Sequence, residues 1–406
     1  MTTSRRRFLG ALGSGWALST TARRSLAQQG SGPIRIGALN PITGSGSPYG
    51  TGMQKMIRAA ADTVNGAGGV LGRTIEIIAE DSQTNPQAGV LAAKKLIEVN
   101  GVQAILGAWS SGVTLAVLPL CRAAGIPIFY VSGAPSLSDL GVTGGWGYRF
   151  HTPNGRTGRC YAEVCKKQGY QRAATMAFNN ASGLGLTEGF AKAWKDMGHD
   201  LVAKVVYEPN QTSYRSELMK VLAAEPDVIV TGSYYQDSTI LMREWSQTGR
   251  KNAWIIPGHA TTPEFIKAVG PVAEGVLTAD LVVAKDSPAY KPFDEAYRKL
   301  MGQPGESNIY AAMAWDMMIS LALAIEATGS VDMAAVNKKI RAVANAPGTK
   351  VYGFAEGKGL LKAGGKVDYD GCSSILEFDA NGDVTPDFGV YRIEKGELLR
   401  KYTLRV

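Results

Sequence analysis

Cysteine and histidine are both scarce in this sequence, and each shortage removes a class of chemistry. The cysteines are Cys121, Cys160, Cys165 and Cys372, and the histidines are His151, His199 and His259. No pair of cysteines has CxxC spacing and no Cys/His group has metal-ligand spacing, so neither a redox pair nor a zinc site is written locally. Cys160 and Cys165 are five apart on an expected helix, which turns their side chains about 140° from each other. Buried thiols are therefore expected. His151 falls at a change of segment and His199 beside the turn Gly198–Asp200, which leaves His259 as the histidine expected near a binding cleft. One histidine supplies neither a metal site nor a Ser-His-Asp set. Phosphate loops are missing too: no GxxxxGK[ST] occurs, and Gly44-Ser45-Gly46 lacks the third glycine of a dinucleotide fingerprint, so no cofactor is expected.

Clustered basic charge is also lacking. The formal net charge is +8, but residues 1–27 hold five arginines and no acid, so their removal brings it to +3. The remaining basic residues are interspersed with acids, which argues against nucleic acid as a partner. After the N-terminal segment no uninterrupted run of 18 apolar residues occurs, the minimum expected of a membrane-spanning helix.

What is present begins with an address. Ser4-Arg5-Arg6-Arg7-Phe8-Leu9 has the twin-arginine export pattern, an apolar stretch from Phe8 to Ala22 follows, and Ser25-Leu26-Ala27 offers small residues for a signal peptidase. Residues 1–27 are expected to be a twin-arginine signal peptide, with the mature chain beginning near Gln28 in the periplasm. No Cys sits at the cleavage site, so a lipid anchor is not expected.

The roughly 379 residues that follow exceed one core and predict two domains. Strand and helix patterns alternate: Ile34–Leu39, then a helix over Gly52–Asn65, a strand over Thr74–Ala79, a helix over Pro86–Val99, and strands at Ala104–Gly107 and Ile128–Val131. The alternation restarts after Phe150, with strands at Ala173–Phe178, Leu201–Tyr207, Asp227–Thr231 and Ala253–Ile256. Gly275–Val283 reads as a strand returning to the first domain, followed by helices over Tyr310–Thr328 and Met333–Val343. Short strands over Val367–Phe378, Phe388–Ile393 and Leu398–Leu404 close the chain. Such alternation implies βαβ units and an α/β fold with two doubly wound parallel sheets, whose ligands bind at the carboxyl ends of the strands.

Three small-residue turns sit at such ends: Pro41–Gly50, Gly107–Gly112 and Ser132–Leu137. Ser110, Ser111 and Ser136 suit the N-termini of the helices that follow. A Ser there caps free amides, and the same amides with the helix dipole hold a carboxylate; both uses fit the sequence. The expectation is that Ser111 and Ser136 grip one anion together.

The order of motifs resembles the branched-chain amino acid-type solute-binding proteins of ABC importers, relatives of the leucine/isoleucine/valine-binding protein. It is carried by Ile36-Gly37, Thr43-Gly44, Tyr49-Gly50, Asn65, Gly68-Gly69-Val70-Leu71-Gly72 and Glu80-Asp81. Ser110-Ser111, Gly125-Ile126-Pro127, Ser132-Gly133-Ala134-Pro135-Ser136 and Pro226–Ile229 with Gly232–Tyr235 follow, then Ala273–Val276, Asp368–Gly371 and Phe378–Asp383. The resemblance spans nearly the whole mature chain. It implies a type I periplasmic-binding-protein clamshell with three crossovers. One lobe would be residues 33–151 plus 278–352, and the other residues 152–277 plus 353–406. It also implies roles: Ser111 and Ser136, with the amide near Ala134, at the ligand carboxylate; Tyr49 and Trp109 on the apolar side; Tyr234 or Tyr235 closing from the second lobe. The implied partner is an ABC permease of the inner membrane, the protein acting as a monomer; a sensor module sharing the clamshell is the alternative.

Two positions depart from the family pattern. Gly258 stands where amino-acid-binding members place the acid that meets the ligand ammonium, with Glu264 already on the next helix. Enclosing an unpaired ammonium costs several kcal/mol. Either another acid reaches in, with Asp237 the candidate, or the ligand has no ammonium. Leu184 stands where a Tyr is frequent, making the pocket less polar. Trp109, Tyr49, Tyr234, Tyr235 and Tyr310 suit an apolar or aromatic tail, and His259 suits a hydrogen bond to a ligand oxygen. The expected ligand is a small organic acid or amide with such a tail, preferred over a branched-chain amino acid. No nucleophile with a base and no paired carboxylates emerge, so catalysis is not expected.

Overall fold

The computed structural model describes residues 32–406, so the export segment expected over residues 1–27 lies outside the described residues. Five parallel strands form the first sheet: β1 (Ile34–Asn40), β2 (Ile75–Asp81), β3 (Ile105–Gly107), β4 (Ile128–Tyr130) and β5 (Gly147–Arg149), in the order β2-β1-β3-β4-β5. They alternate with α1 (Ser47–Gly66), α2 (Pro86–Lys94), α3 (Ser111–Ala124) and the single turn α4 (Leu140–Thr143). Helix α2 runs on into a π turn at Lys95–Val99. Its N-terminus is set by Asn85, whose side chain accepts the Ala88 amide at 3.0 Å.

The second sheet repeats the plan. After α5 (Asn154–Gln168) come β6 (Ala173–Phe178), α6 (Ala181–Asp196), β7 (Ala203–Tyr207), α7 (Arg215–Leu222), β8 (Val228–Gly232), α8 (Tyr235–Ser246), β9 (Ala253–Ile255), α9 (Pro263–Val269) and β10 (Leu277–Leu281). The parallel order β7-β6-β8-β9-β10 matches that of the first sheet strand for strand. Strand β8 is buried along its whole length, as expected of a parallel strand covered on both faces.

This repeat corrects one expectation. Leu277–Leu281 does not return to the first lobe: it pairs with β9 and occupies the place that β5 holds in the first sheet. The chain crosses back only after it. Helices α10 (Tyr290–Met301), α11 (Ile309–Thr328) and α12 (Met333–Ala344), strand β11 (Thr349–Val351), helix α13 (Phe354–Lys362) and strand β12 (Val367–Tyr369) then pack on the first lobe, with α10, α11 and α13 all against α1. The final crossing follows Asp383, after which β13 (Phe388–Glu394) adds antiparallel to β10 and β14 (Glu397–Leu404) adds antiparallel to β13. Three crossovers thus join the lobes, but residues 278–281 belong with the second sheet and residues 353–383 with the first, unlike the expected division at 277/278 and 352/353.

Helix α11 is long and apolar enough to cross a membrane, yet 94% of its most apolar window is buried inside the protein, which makes it the core helix of the first lobe. Its Asp316 explains why the strand expected over Val367–Phe378 stops at Tyr369. The carboxylate accepts the Tyr369 hydroxyl at 2.7 Å and the amides of Cys372 and Ser373 at 3.0 and 2.8 Å, so these amides bond a side chain and not a neighbouring strand. Helices α10 and α13 were not anticipated. The first carries its signal in Tyr290, Phe293 and Tyr297, all buried on one face; in the second, Gly357 and Gly359 dilute the helical pattern. All four cysteines are buried and free.

The crossovers are held by a buried ion pair. Arg149, at the end of β5 and fully buried, lies 2.8 Å from Asp383, which precedes the last crossing. Ser138 donates to the same carboxylate at 2.5 Å.

Candidate functional site

The loops at the carboxyl ends of β1, β3, β6 and β8 face each other across the lobes, the two topological switch points of the sheets. In the first lobe the β1 turn is held by Asp81, which accepts the Ile42 amide at 2.9 Å and the Thr43 hydroxyl at 2.7 Å. Burial raises the pKa of this carboxylate, but the hydrogen bonds from Thr43, Gln83 and Ile42 outweigh it and leave the group below its ordinary value. At the end of β3, Gly107 adopts a φ of +118°, and a Cβ there would run into the Asn40 side chain. The chain therefore turns sharply and delivers Trp109 to the interface.

Trp109 is the centre of an aromatic group. Its ring lies 6.0 Å from Tyr49 and 6.0 Å from Tyr310 in its own lobe, and 5.5 Å from Tyr234 and 5.8 Å from His259 in the other. The Tyr49 hydroxyl donates to the His259 carbonyl at 3.0 Å, and Ser45 donates to Gln236 at 2.9 Å, both across the cleft. The lobes are thus closed on each other. Beneath Tyr234, the space among Phe178, Asn180, Ser182, Ser233 and His259 is too narrow for a water molecule.

Burial sets the ionisation of this group. It pushes the Tyr234 hydroxyl up to about 12, against hydrogen bonding from Asn180, Ser110 and Ser182. Burial likewise lowers His259 to about 4, against the opposing pull of Asp280, so the ring is neutral near pH 7. His259 Nε2 lies 3.1 Å from the Ser233 carbonyl, which can only accept, so Nε2 carries the proton.

The expected residues are not all brought together. Ser111 is buried, and its hydroxyl accepts the Ala134 amide at 3.1 Å. Ser136 stands exposed on the turn Pro135–Ser138, whereas Ser111 is buried. The Ser132 hydroxyl ties the two turns together: it lies 2.8 Å from the Ala108 carbonyl and 3.1 Å from that of Trp109. Ser110 is the residue before α3 and is buried, without a capping bond from its side chain. Tyr234 and not Tyr235 joins the aromatic group; Tyr235 is half-buried against the second lobe's own core. Leu184 sits half-buried on the first turn of α6 and is not among the residues lining the space beneath Tyr234.

Asp237 does not reach the cleft. It is buried in the first turn of α8, where its carboxylate accepts the Tyr234 amide at 2.8 Å and the Tyr207 hydroxyl, and burial pushes its pKa up to about 6. A different acid stands beside Gly258. A Cβ at position 258 would fall within the carboxylate of Asp280, on β10. Asp280 acts on the ionisation of Tyr49, His259 and Tyr310 alike. Next to it is His151, buried, stacked on Tyr310 at 5.7 Å, so a second histidine adjoins the aromatic group where one was expected. Sequence reading missed both. The trace of Asp280 in the sequence is a charged residue inside the apolar strand Leu277–Leu281, legible only once that strand is assigned to the second sheet.

Among the described residues no group of three or more His, Cys, Asp or Glu is placed to hold a metal ion.

The periplasmic binding protein family model matches residues 33–369. A Leu/Ile/Val-binding protein of Rhizobium johnstonii, BraC3, is 26% identical over 376 residues, covering 90% of this chain and 93% of the relative. The fold is similar to that of the leucine binding protein LivK of Thermotoga maritima, with a TM-score of 0.78 at 22% identity, covering 92% of this chain and 99% of LivK. It is also similar to an ABC transporter solute binding protein of R. palustris solved in complex with benzoate, with a TM-score of 0.73 at 19% identity over 92% of this chain and 96% of that one.

Proposed function

We infer that this chain, which belongs to the periplasmic binding protein family, captures a small solute between its lobes and delivers it to an ABC permease of the inner membrane. The solute is a small organic acid or amide with an apolar or aromatic tail. The observation that carries this reading is the aromatic group of Tyr49, Trp109, Tyr234 and Tyr310, which draws rings from both lobes to one place. Such rings suit an apolar tail, and the amides at the start of α3 beside Ser110 and Ser111 suit its carboxylate. Relatives and fold neighbours named for leucine, isoleucine and valine, and one holding benzoate, support the same class of solute.

Capture follows from differential contact. A solute that touches both lobes favours the closed arrangement by its extra affinity for it, and release to a permease needs that arrangement to reopen. The pocket needs no reaction, and the protein is proposed to act as a monomer, exported to the periplasm by the twin-arginine route. A thermal-unfolding screen against apolar amino acids, aromatic acids and aliphatic acids tests the reading. A true ligand at a hundred times its dissociation constant adds about 2.7 kcal/mol. A flat response across all three classes would sink it.

A further inference from the structure

We propose that Gly185 and Pro135 form the stop against which the two lobes close, and so set the gap between Trp109 and Tyr234 and the bulk of the tail the cleft accepts. This rests on the proposed capture in the cleft and adds what limits it. Gly185 lies near the start of α6 in the second lobe, and Pro135 begins the turn Pro135–Ser138 of the first. A Cβ at position 185 would stand 2.4 Å from Pro135 Cδ and 2.9 Å from Pro135 Cγ, closer than side chains approach. Its third neighbour, at 3.8 Å, is again an atom of Pro135, so beyond the backbone of α6 itself nothing in the second lobe crowds the position. The backbone at Gly185 is helical, where alanine is favoured over glycine. Neither conformation nor packing within its own lobe therefore calls for glycine; the approach of the other lobe does.

Both faces of the stop are backed by fixed structure. Behind Pro135, the Ala134 amide donates to Ser111 at 3.1 Å and the Tyr130 hydroxyl to the Leu137 carbonyl at 3.3 Å. Behind Gly185, the Asn180 side chain accepts the amides of Ser182 and Gly183 at 3.0 and 2.8 Å. A Cβ at position 183 would meet the Gly232 carbonyl at 2.6 Å, so α6 rests directly on the end of β8. The cleft rings hang from the same supports. Asn180 Nδ2 donates to the Tyr234 hydroxyl at 3.2 Å, and Ser132, three residues before Pro135, donates to the Trp109 carbonyl at 3.1 Å. Asn154, just past the first crossover, joins the two faces: its amide donates to the Gly133 carbonyl at 2.7 Å and its side chain to the Ser182 carbonyl at 2.9 Å. The approach of Pro135 to Gly185 therefore fixes the 5.5 Å between the Trp109 and Tyr234 rings. A methyl group at 185 would push Pro135 from 2.4 Å out to the 3.4 Å at which ordinary contact begins, about 1 Å of opening. Gaps of that size forfeit a quarter to a half of a dispersion contact.

Isothermal titration with two series of increasing bulk tests this: valine, leucine and phenylalanine, and 3-methylbutanoate, 4-methylpentanoate and 3-phenylpropionate. Gly185→Ala should weaken the smallest tail that binds by about tenfold relative to the largest, the low end for a misfit of one methylene in an apolar pocket. Pro135→Ala removes the Cγ and Cδ that face Gly185, and should shift the preference toward smaller tails even if Gly185→Ala fails to fold. The double variant clears the added methyl from the opposite lobe and should return the affinity to within about threefold of the wild type, a coupling that independent sites do not show. Where a single solute binds, its loss in Gly185→Ala and its recovery in the double variant are the same test. Wild-type affinities in folded Gly185→Ala would overturn the stop while leaving capture standing. So would a loss that Pro135→Ala does not repair, or an unchanged preference in Pro135→Ala. A wild type that binds none of the six solutes would contradict capture itself, and the stop would fall with it.

Discussion

Replacing Trp109 with alanine removes two ring contacts that cross between the lobes, to Tyr234 at 5.5 Å and to His259 at 5.8 Å. Aromatic pairs contribute about 0.5–1.5 kcal/mol each beyond their area, so the closed arrangement should lose about 1–3 kcal/mol relative to the open one. At 1.4 kcal/mol per tenfold, that shifts the open–closed ratio by about 5–150-fold. Contacts to Tyr49 and Tyr310 are lost as well, but these rings share the lobe of Trp109 and are lost from both arrangements. Small-angle X-ray scattering of the unliganded variant should give a larger radius of gyration than the wild type, and solute affinity should fall at least about fivefold by calorimetry. Trp109→Phe, which keeps a ring, should recover part of both effects. A variant with wild-type scattering and affinity within twofold would refute the idea that Trp109 holds the lobes together.

Other predictions concern stability. Arg149→Met leaves Asp383 charged and buried without its partner, and should cost about 3–5 kcal/mol in urea unfolding; adding Asp383→Leu should restore part of the loss, because a buried ion pair replaced whole costs little. Asp316→Ala strands the donors of Tyr369, Cys372 and Ser373 and should cost at least about 3 kcal/mol, with the segment after β12 becoming the first to exchange its amide protons. The pH dependence has two opposed parts. Asp237, raised by burial from 3.8 to about 6, contributes stability that is present below pH 4 and is lost as pH rises through about 6, roughly 3 kcal/mol. His259, lowered by burial from 6.5 to about 4, contributes stability that is present above 6.5 and is lost as pH falls through about 4, again roughly 3 kcal/mol. The two offset each other between pH 4 and 6, so Asp237→Asn should unmask a rise of stability with pH in that window. A variant whose pH profile matches the wild type would contradict the assignment.

The fold was largely legible because its parallel strands are short apolar runs between amphipathic helices, and Ala173–Phe178 appears in the structure with the expected ends. Lobe membership was harder. Leu277–Leu281 reads the same in either sheet, and what decides its place is pairing with Ile255 and with β13, more than a hundred residues onward, which no local pattern records. In the site, Tyr49, Trp109 and Tyr234 were visible as aromatics on turns at strand ends. Asp280 and His151 were not, since their meeting depends on two separate crossovers ending side by side. Ser136 shows the converse: a small residue at the expected spacing that the turn after Pro135 leaves facing solvent.

The central claim is that the chain binds one small carboxylate between its lobes. Isothermal titration of the full mature protein against apolar amino acids and aromatic acids tests it most directly, with Trp109→Ala run beside the wild type. The account predicts saturable one-to-one binding of at least one such solute, weakened by the substitution. Saturable binding that Trp109→Ala leaves unchanged would put the site elsewhere, and the absence of binding across both classes would contradict the claim outright.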